Sequence, residues 1–147
     1  MKKLIALGLC LLPLTLTACD KLKQKSDEKL NSKRAELVQK ATIGAAKASL
    51  GVLRSGIIIY YGDHEGKYPT DLKQLLPDAS SYIPTNKIGT LGETDKIIYT
   101  NDCADMCAPV TNEGGWIYCS NPKDRSFGTV TINSNRKDDR GVQLCMH

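Results

Sequence analysis

Aromatic side chains are scarce in this chain of 147 residues, which has one tryptophan, one phenylalanine and six tyrosines. The basic residues sit apart from any aromatic platform, so the stacking surface that single-strand nucleic-acid binders use is missing. Histidine is scarcer still, with His64 and the last residue, His147, the two present. No Ser-His-Asp order, glycine-rich phosphate loop or HExxH helix occurs. Asp63 and Glu65 flank His64, yet neighbours in a polar turn point apart, and a solvated turn accounts for all three. The expectation is a chain with no catalytic residues. An excess of one charge is lacking too: a formal net charge of +4 gives no reason to expect a nucleic-acid partner. The apolar run at the N-terminus, residues 4–14, falls short of the roughly 20 residues that a spanning helix needs, and Pro13 breaks it.

What that N-terminus does contain is a short basic head, Lys2-Lys3, then the apolar run, then Leu16-Thr17-Ala18-Cys19. This resembles a bacterial lipoprotein signal sequence with its lipobox. The resemblance implies that a diacylglyceryl group is attached to the sulfur of Cys19, that residues 1–18 are removed, and that the new amino end receives a further acyl chain such as palmitate. One acyl chain binds a membrane reversibly, at about 0.8 kcal/mol per buried methylene, whereas two or three hold a protein there. The soluble part is then tethered rather than inserted. Cleavage removes Lys2 and Lys3 and no acid, leaving a net charge of +2 on a chain with room for one small domain.

The six cysteines sort by position. Cys10 leaves with the signal and Cys19 carries lipid, so Cys103, Cys107, Cys119 and Cys145 remain. An even number in an exported domain with few aromatics reads as two disulfides, because a small core needs covalent help and the compartment permits it. A four-cysteine zinc site is the competing reading, but zinc ribbons show two close pairs and only Cys103 and Cys107 stand close here. Nor is their three-residue spacing that of a thioredoxin-type pair. Three disulfide pairings are open, with Cys103–Cys107 and Cys119–Cys145 slightly preferred.

Residues 19–32 are polar with two isolated leucines, and read as a tether or a frayed helix start. Asn31 or Ser32 is the expected N-cap of a helix that runs to about residue 61. Lys33, Lys40, Lys47 and Arg54 recur every seven residues along one side, and Leu37, Ala46, Leu50, Leu53, Ile57 and Tyr60 collect on the other. At residues 57–61 the helix becomes apolar all round and should be covered on more than one side. Residues 62–66 end it through glycine and polar turn formers. A short helix follows, with Thr70 as cap, Leu72, Leu75 and Leu76 facing inward, and Pro77 as stop. Residues 78–95 read as loop, with Tyr82, Ile83 and Pro84 pinned to the core. Strands are expected at 96–100, 115–120 and 127–134, with a turn at 121–125 between the last two. The sum is an α+β fold: a long N-terminal amphipathic helix on a small antiparallel meander, stabilised by disulfides, over residues 33–147.

The run Tyr60-Tyr61-Gly62 through Gly66-Lys67-Tyr68-Pro69-Thr70-Asp71-Leu72 resembles the place where the long helix of a type IV pilin or type II secretion pseudopilin ends. Gly114-Gly115-Trp116-Ile117-Tyr118 and residues 127–133 are similar to the strand pair that follows in that family. The resemblance spans roughly residues 41–133 and implies a pilin-like head. The chain departs from the family at its N-terminus, where a prepilin leader and an apolar helix with an early glutamate are replaced by the lipobox and a polar tether. The expectation is a head without the part with which such subunits polymerise.

Asn101, Asp102, Asp105 and Asn112 crowd one loop, and Asp138 and Asp139 the C-terminal segment. Hard oxygen ligands in flexible backbone suit calcium, which major pseudopilins bind in a comparable loop, so Asp102 and Asp105 are calcium candidates. Acidic loops tied down by disulfides explain the same residues without an ion. The expected cofactor is otherwise none beyond the lipid on Cys19. Expected partners are the membrane and pilus or secretion-system proteins. Asp20 after the lipidated cysteine resembles the signal that retains lipoproteins at the inner membrane in enteric bacteria, with the outer membrane as the alternative.

Overall fold

The computed structural model describes residues 14–76 and 83–147, with side chains in the first stretch from residue 24 onward. Pro77 and Tyr82 lie outside the described residues, as do the first thirteen residues of the signal segment and the side chain of Cys19.

Helix α1 runs over Leu14–Asp63. It does not begin at Asn31 or Ser32. No glycine or proline lies between Pro13 and Gly44, and the lysines, glutamates and glutamines of residues 21–40 are good helix formers, so nothing stops the helix there. Ser32 sits inside it and donates its hydroxyl to the Lys29 carbonyl at 3.0 Å. The chain falls into two units, Met1–Val38 and Gln39–His147. In the first, residues 24–38 are exposed throughout.

In the second unit Ile43, Ala46, Leu50, Leu53 and Ile57 form one buried stripe of α1 at helical spacing. They pack with Leu72, Ile88, Trp116, Tyr118, Ile132 and Leu144. Two expectations fail here. Leu37 is 65 % exposed, and Ile58 and Ile59 are 68 % and 64 % exposed, so the apolar end of the helix is covered on one side only. By length and composition the stretch Gln24–Asp63 also contains a window apolar enough to cross a membrane, a test that the core helix of a packed domain passes equally.

Glu65 and Gly66 adopt φ of 56° and 79°, and the Gly66 amide reaches back to the Tyr61 carbonyl, which turns the chain out of α1. A single 3-10 turn follows over Leu72–Leu75. Its cap is Asp71, one residue later than expected: Asp71 accepts from the Lys73 amide at 2.8 Å, while the Gln74 side chain reaches back to Thr70 and Asp71. Such a reciprocal box satisfies donors that Thr70 at the cap would leave open.

Two short strands, β1 (Asn86–Gly89) and β2 (Gly92–Thr94), pair as an antiparallel hairpin within the segment expected to be loop. Strands β3 (Ile97–Thr100), β4 (Trp116–Cys119) and β5 (Val130–Ile132) form a sheet in the order β3-β4-β5. The α+β architecture is as expected, but the sheet is mixed. β4 and β5 are antiparallel, with Trp116 opposite Ile132, whereas β3 and β4 are parallel, with Ile97 opposite Trp116. A parallel pair needs a crossover of about a dozen residues or more, and residues 101–115 supply one.

Gly115 lets that crossover enter β4. Its φ is 78°, and a Cβ there would lie 2.1 Å from the Lys96 carbonyl oxygen, the group to which the Trp116 amide donates at 2.8 Å. Trp116 is wholly buried and donates its indole N–H to the Pro84 carbonyl at 2.7 Å, which pins Pro84 as expected.

Candidate functional site

The four cysteines of the domain close two disulfides, Cys103–Cys119 and Cys107–Cys145, and not the slightly preferred pairing. The parallel register explains this. It sets Thr100 opposite Cys119, and a turn in which the Thr100 hydroxyl bonds to the Asp102 carbonyl brings Cys103 over the end of β4, with Cα atoms 5.5 Å apart. Cys145 donates its amide to the Ser134 carbonyl just beyond β5, where Cys107 meets it. Cys103 and Cys119 lie near Asp124 in an arrangement that would suit a metal, but a disulfide leaves no thiolate to ligate one. Two disulfides in so small a domain point to a compartment outside the reducing cytoplasm.

The calcium candidates serve as turn caps in the same loop. Asp102 accepts from the Ala104 amide at 3.3 Å and Asp105 from the Cys107 amide at 2.9 Å. Asn112, with φ of 62°, accepts from the Asn135 amide. Their oxygens hold the crossover loop in place.

His64 lies flat on Tyr60, ring centroids 3.7 Å apart, and its Nδ1 meets the Tyr60 carbonyl at 2.9 Å. Both contacts are local, between residues one helical turn apart. Glu65 forms an exposed ion pair with Lys67 at 3.8 Å, which contributes little.

A polar cluster around Asp138 was not legible as one in the sequence. Asp138, whose side chain is fully buried, accepts from Lys47 of α1 at 2.6 Å, from His147 Nε2 at 3.1 Å and from Arg140 Nε at 3.5 Å. Its other oxygen accepts from the amides of Arg140 and Val142, both at 2.9 Å. The Lys47 ammonium holds this carboxyl well below the usual carboxylate range, helped by those amides and opposed by burial. All the partners come from one loop, one helix and the C-terminal turn, so the cluster fastens α1 to the end of the chain. The seven-residue lysine spacing on α1 was visible, but its partner lies 91 residues away.

A second small network joins Pro69 and Asp71, just before the 3-10 turn, to strands β3 and β4. The Tyr118 hydroxyl donates to the Pro69 carbonyl inside the core. Tyr99 donates to Asp71, which together with the Lys73 amide lowers the Asp71 pKa. Burial first, and the Asp71 carboxylate second, push the Tyr99 hydroxyl upward. Tyr61, Tyr68 and Phe127 continue as an aromatic run, with centroids 4.6 and 5.7 Å apart. Tyr68 rests where a Cβ on Gly128 would stand, at 2.6 Å. Beside them lies an open groove of about 220 Å³ lined by Arg54, Ile57, Ile58, Tyr68, Phe127 and Val130. Arg54 donates through one nitrogen to the carbonyls of Val130 and His147.

Compared with models of protein families, with curated proteins and with solved structures, the chain matches none.

Proposed function

We propose that this chain is a non-enzymatic, lipid-anchored envelope protein, held through Cys19 and serving as an accessory or interaction component of a type IV pilus or type II secretion-like system. The observation that carries the reading is the Tyr118 hydroxyl on the Pro69 carbonyl. It ties the Tyr-Pro-Thr stretch after the long helix to the Gly-Trp-Ile-Tyr strand, the two motifs on which the pilin resemblance rests, and both pack on the buried stripe of α1. The non-enzymatic reading draws on the use the fold makes of its polar groups: Asp102 and Asp105 cap turns, His64 stacks on Tyr60, and Asp138 fastens the helix. Asp20 favours the inner membrane facing the periplasm, with the outer membrane second.

A stand-alone ligand-binding lipoprotein is the second reading, and the groove beside Tyr68 and Phe127 is the feature in its favour. Cross-linking in the native envelope followed by mass spectrometry separates the two. Recovery of pilus or secretion subunits supports the first, and their absence beside envelope proteins unrelated to such systems supports the second.

A further inference from the structure

The side of α1 turned away from the core carries no charge over residues 41–62, apart from the flanks. Lys47 and Arg54, the two charged residues on this stretch, fold back onto Asp138 and onto the carbonyls of Val130 and His147. What remains outward is small or apolar. Val52, Ile58 and Ile59 are 62 %, 68 % and 64 % exposed, and Cβ atoms built at Gly44 and Gly51 would meet nothing within 4 Å. Exposed apolar side chains gathered on one uncharged face are a feature of contact surfaces.

The order of residues along the face identifies the occupant. Its N-terminal half is small and its C-terminal half bulky, so the face fits itself when reversed. An antiparallel pair with its two-fold axis between residues 51 and 52 sets Ile59 of one copy opposite Gly44 of the other, and Ile58 opposite Ala45. Ser55 then meets Ala48, and Val52 meets Gly51, so each larger side chain has a smaller one to sit over. Shallow-angle helix packing of this type is the arrangement of paired helices in bundles and coiled coils. A parallel pair sets Ile58 and Ile59 against their own copies and leaves Gly44 and Gly51 over empty space.

Charge agrees with the fit. A charged partner face would lose water against this strip with nothing to pair with, whereas the strip's own copy brings no charge to bury. The same register places Lys40 of one copy level with Asp63 of the other at each end of the contact. At 1.5 Å per residue the strip is about 33 Å long, so two copies in this register can meet along its whole length.

We infer that the outward face of α1 over residues 41–62 is a docking surface for a second copy of this chain, which packs on it antiparallel about residues 51 and 52. The inference stands apart from the pilus and lipid-anchor readings, because neither sets the register.

Gly44→Cys and Ile59→Cys variants of the full chain test it, each carrying a different tag and probed in membranes with a short bis-maleimide. The wild-type chain measures background from Cys10 and Cys19. In the proposed register residues 44 and 59 of opposite copies adjoin, while the two copies of residue 44 lie about 22 Å apart. The mixed pair should therefore cross-link at least several-fold above either variant alone. Adding Ala48→Arg should reduce that yield to background while the Cys103–Cys119 and Cys107–Cys145 disulfides still form, since residue 48 is exposed and outside the core. Self-cross-linking of Gly44→Cys as strong as that of the mixture would overturn the antiparallel register. Background yield from the mixture, or a yield unaffected by Ala48→Arg, would overturn the second copy as occupant and assign the face to a different partner.

Discussion

Lys47 on the long helix and Asp138 near the end of the chain form the closest ion pair of the buried polar cluster, 2.6 Å apart across 91 residues of sequence. The pair lies beside the core stripe of α1, and its carboxylate also accepts from His147 and Arg140. A carboxylate held this way is far less costly to keep ionised in the fold than to protonate.

The acid limb of stability follows from it. Asp138 has a folded-state pKa below its ordinary value of 3.8, so the unfolded chain binds the proton more readily. Its contribution is complete above the unfolded pKa and is lost as pH falls toward the folded one. Asp138→Asn should therefore be less stable than wild type at pH 7, and its thermal midpoint should change less between pH 5 and pH 2. An equally steep acid limb in the variant would remove Asp138 from this role.

Peptide mapping under non-reducing conditions should recover Cys103 linked to Cys119 and Cys107 linked to Cys145. Replacing either pair by alanine should lower the unfolding free energy by about 2–5 kcal/mol, measured by denaturant titration. The Cys103–Cys119 variant tests the parallel strand pair as well, since that disulfide closes the crossover between β3 and β4.

Gly115→Ala should destabilise more than an ordinary surface change, by at least 1–3 kcal/mol for the left-handed backbone alone, about the usual cost of such strain. The Lys96 carbonyl at 2.1 Å from the new methyl adds a clash that the β3–β4 pairing cannot relieve without shifting. Gly141 has a similar φ of 77° but open space around it, so Gly141→Ala should cost less in the same denaturant titration.

Two leucines on α1 separate its working parts. Leu50→Ala opens the core and should cost about 2–5 kcal/mol. Leu37→Ala touches an exposed position and should stay within about 0.5 kcal/mol. Equal losses in denaturant titration would contradict the placement of Leu37 outside the core.

These contrasts show what the sequence made legible. The stripe Ala46, Leu50, Leu53 and Ile57 was readable because helical spacing and burial obey one period, and the strands at Trp116 and Val130 because β-branched and aromatic residues cluster between turn formers. The helix start was misplaced because Asn31 and Ser32 are good caps in isolation, while uninterrupted helix-forming neighbours on both sides decided the outcome. Ile58 and Ile59 read as covered, since composition reports how apolar a segment is and not which side a sheet reaches. The parallel β3–β4 pairing, the disulfide connectivity and the Lys47–Asp138 bond are all contacts between distant segments, and no local pattern encodes them. For Asp102 and Asp105 residue type was informative, but the bonds they make are to neighbouring amides.

Intact-mass and N-terminal peptide mass spectrometry of the protein extracted from its native membranes tests the proposed lipid anchor at Cys19. The expected result is a chain that begins at Cys19 with a diacylglyceryl group on its sulfur, and a Cys19→Ser variant that lacks this mass and leaves the membrane fraction. An unmodified Cys19 in a chain that retains residues 1–18, or lipid incorporation unchanged in Cys19→Ser, would contradict it.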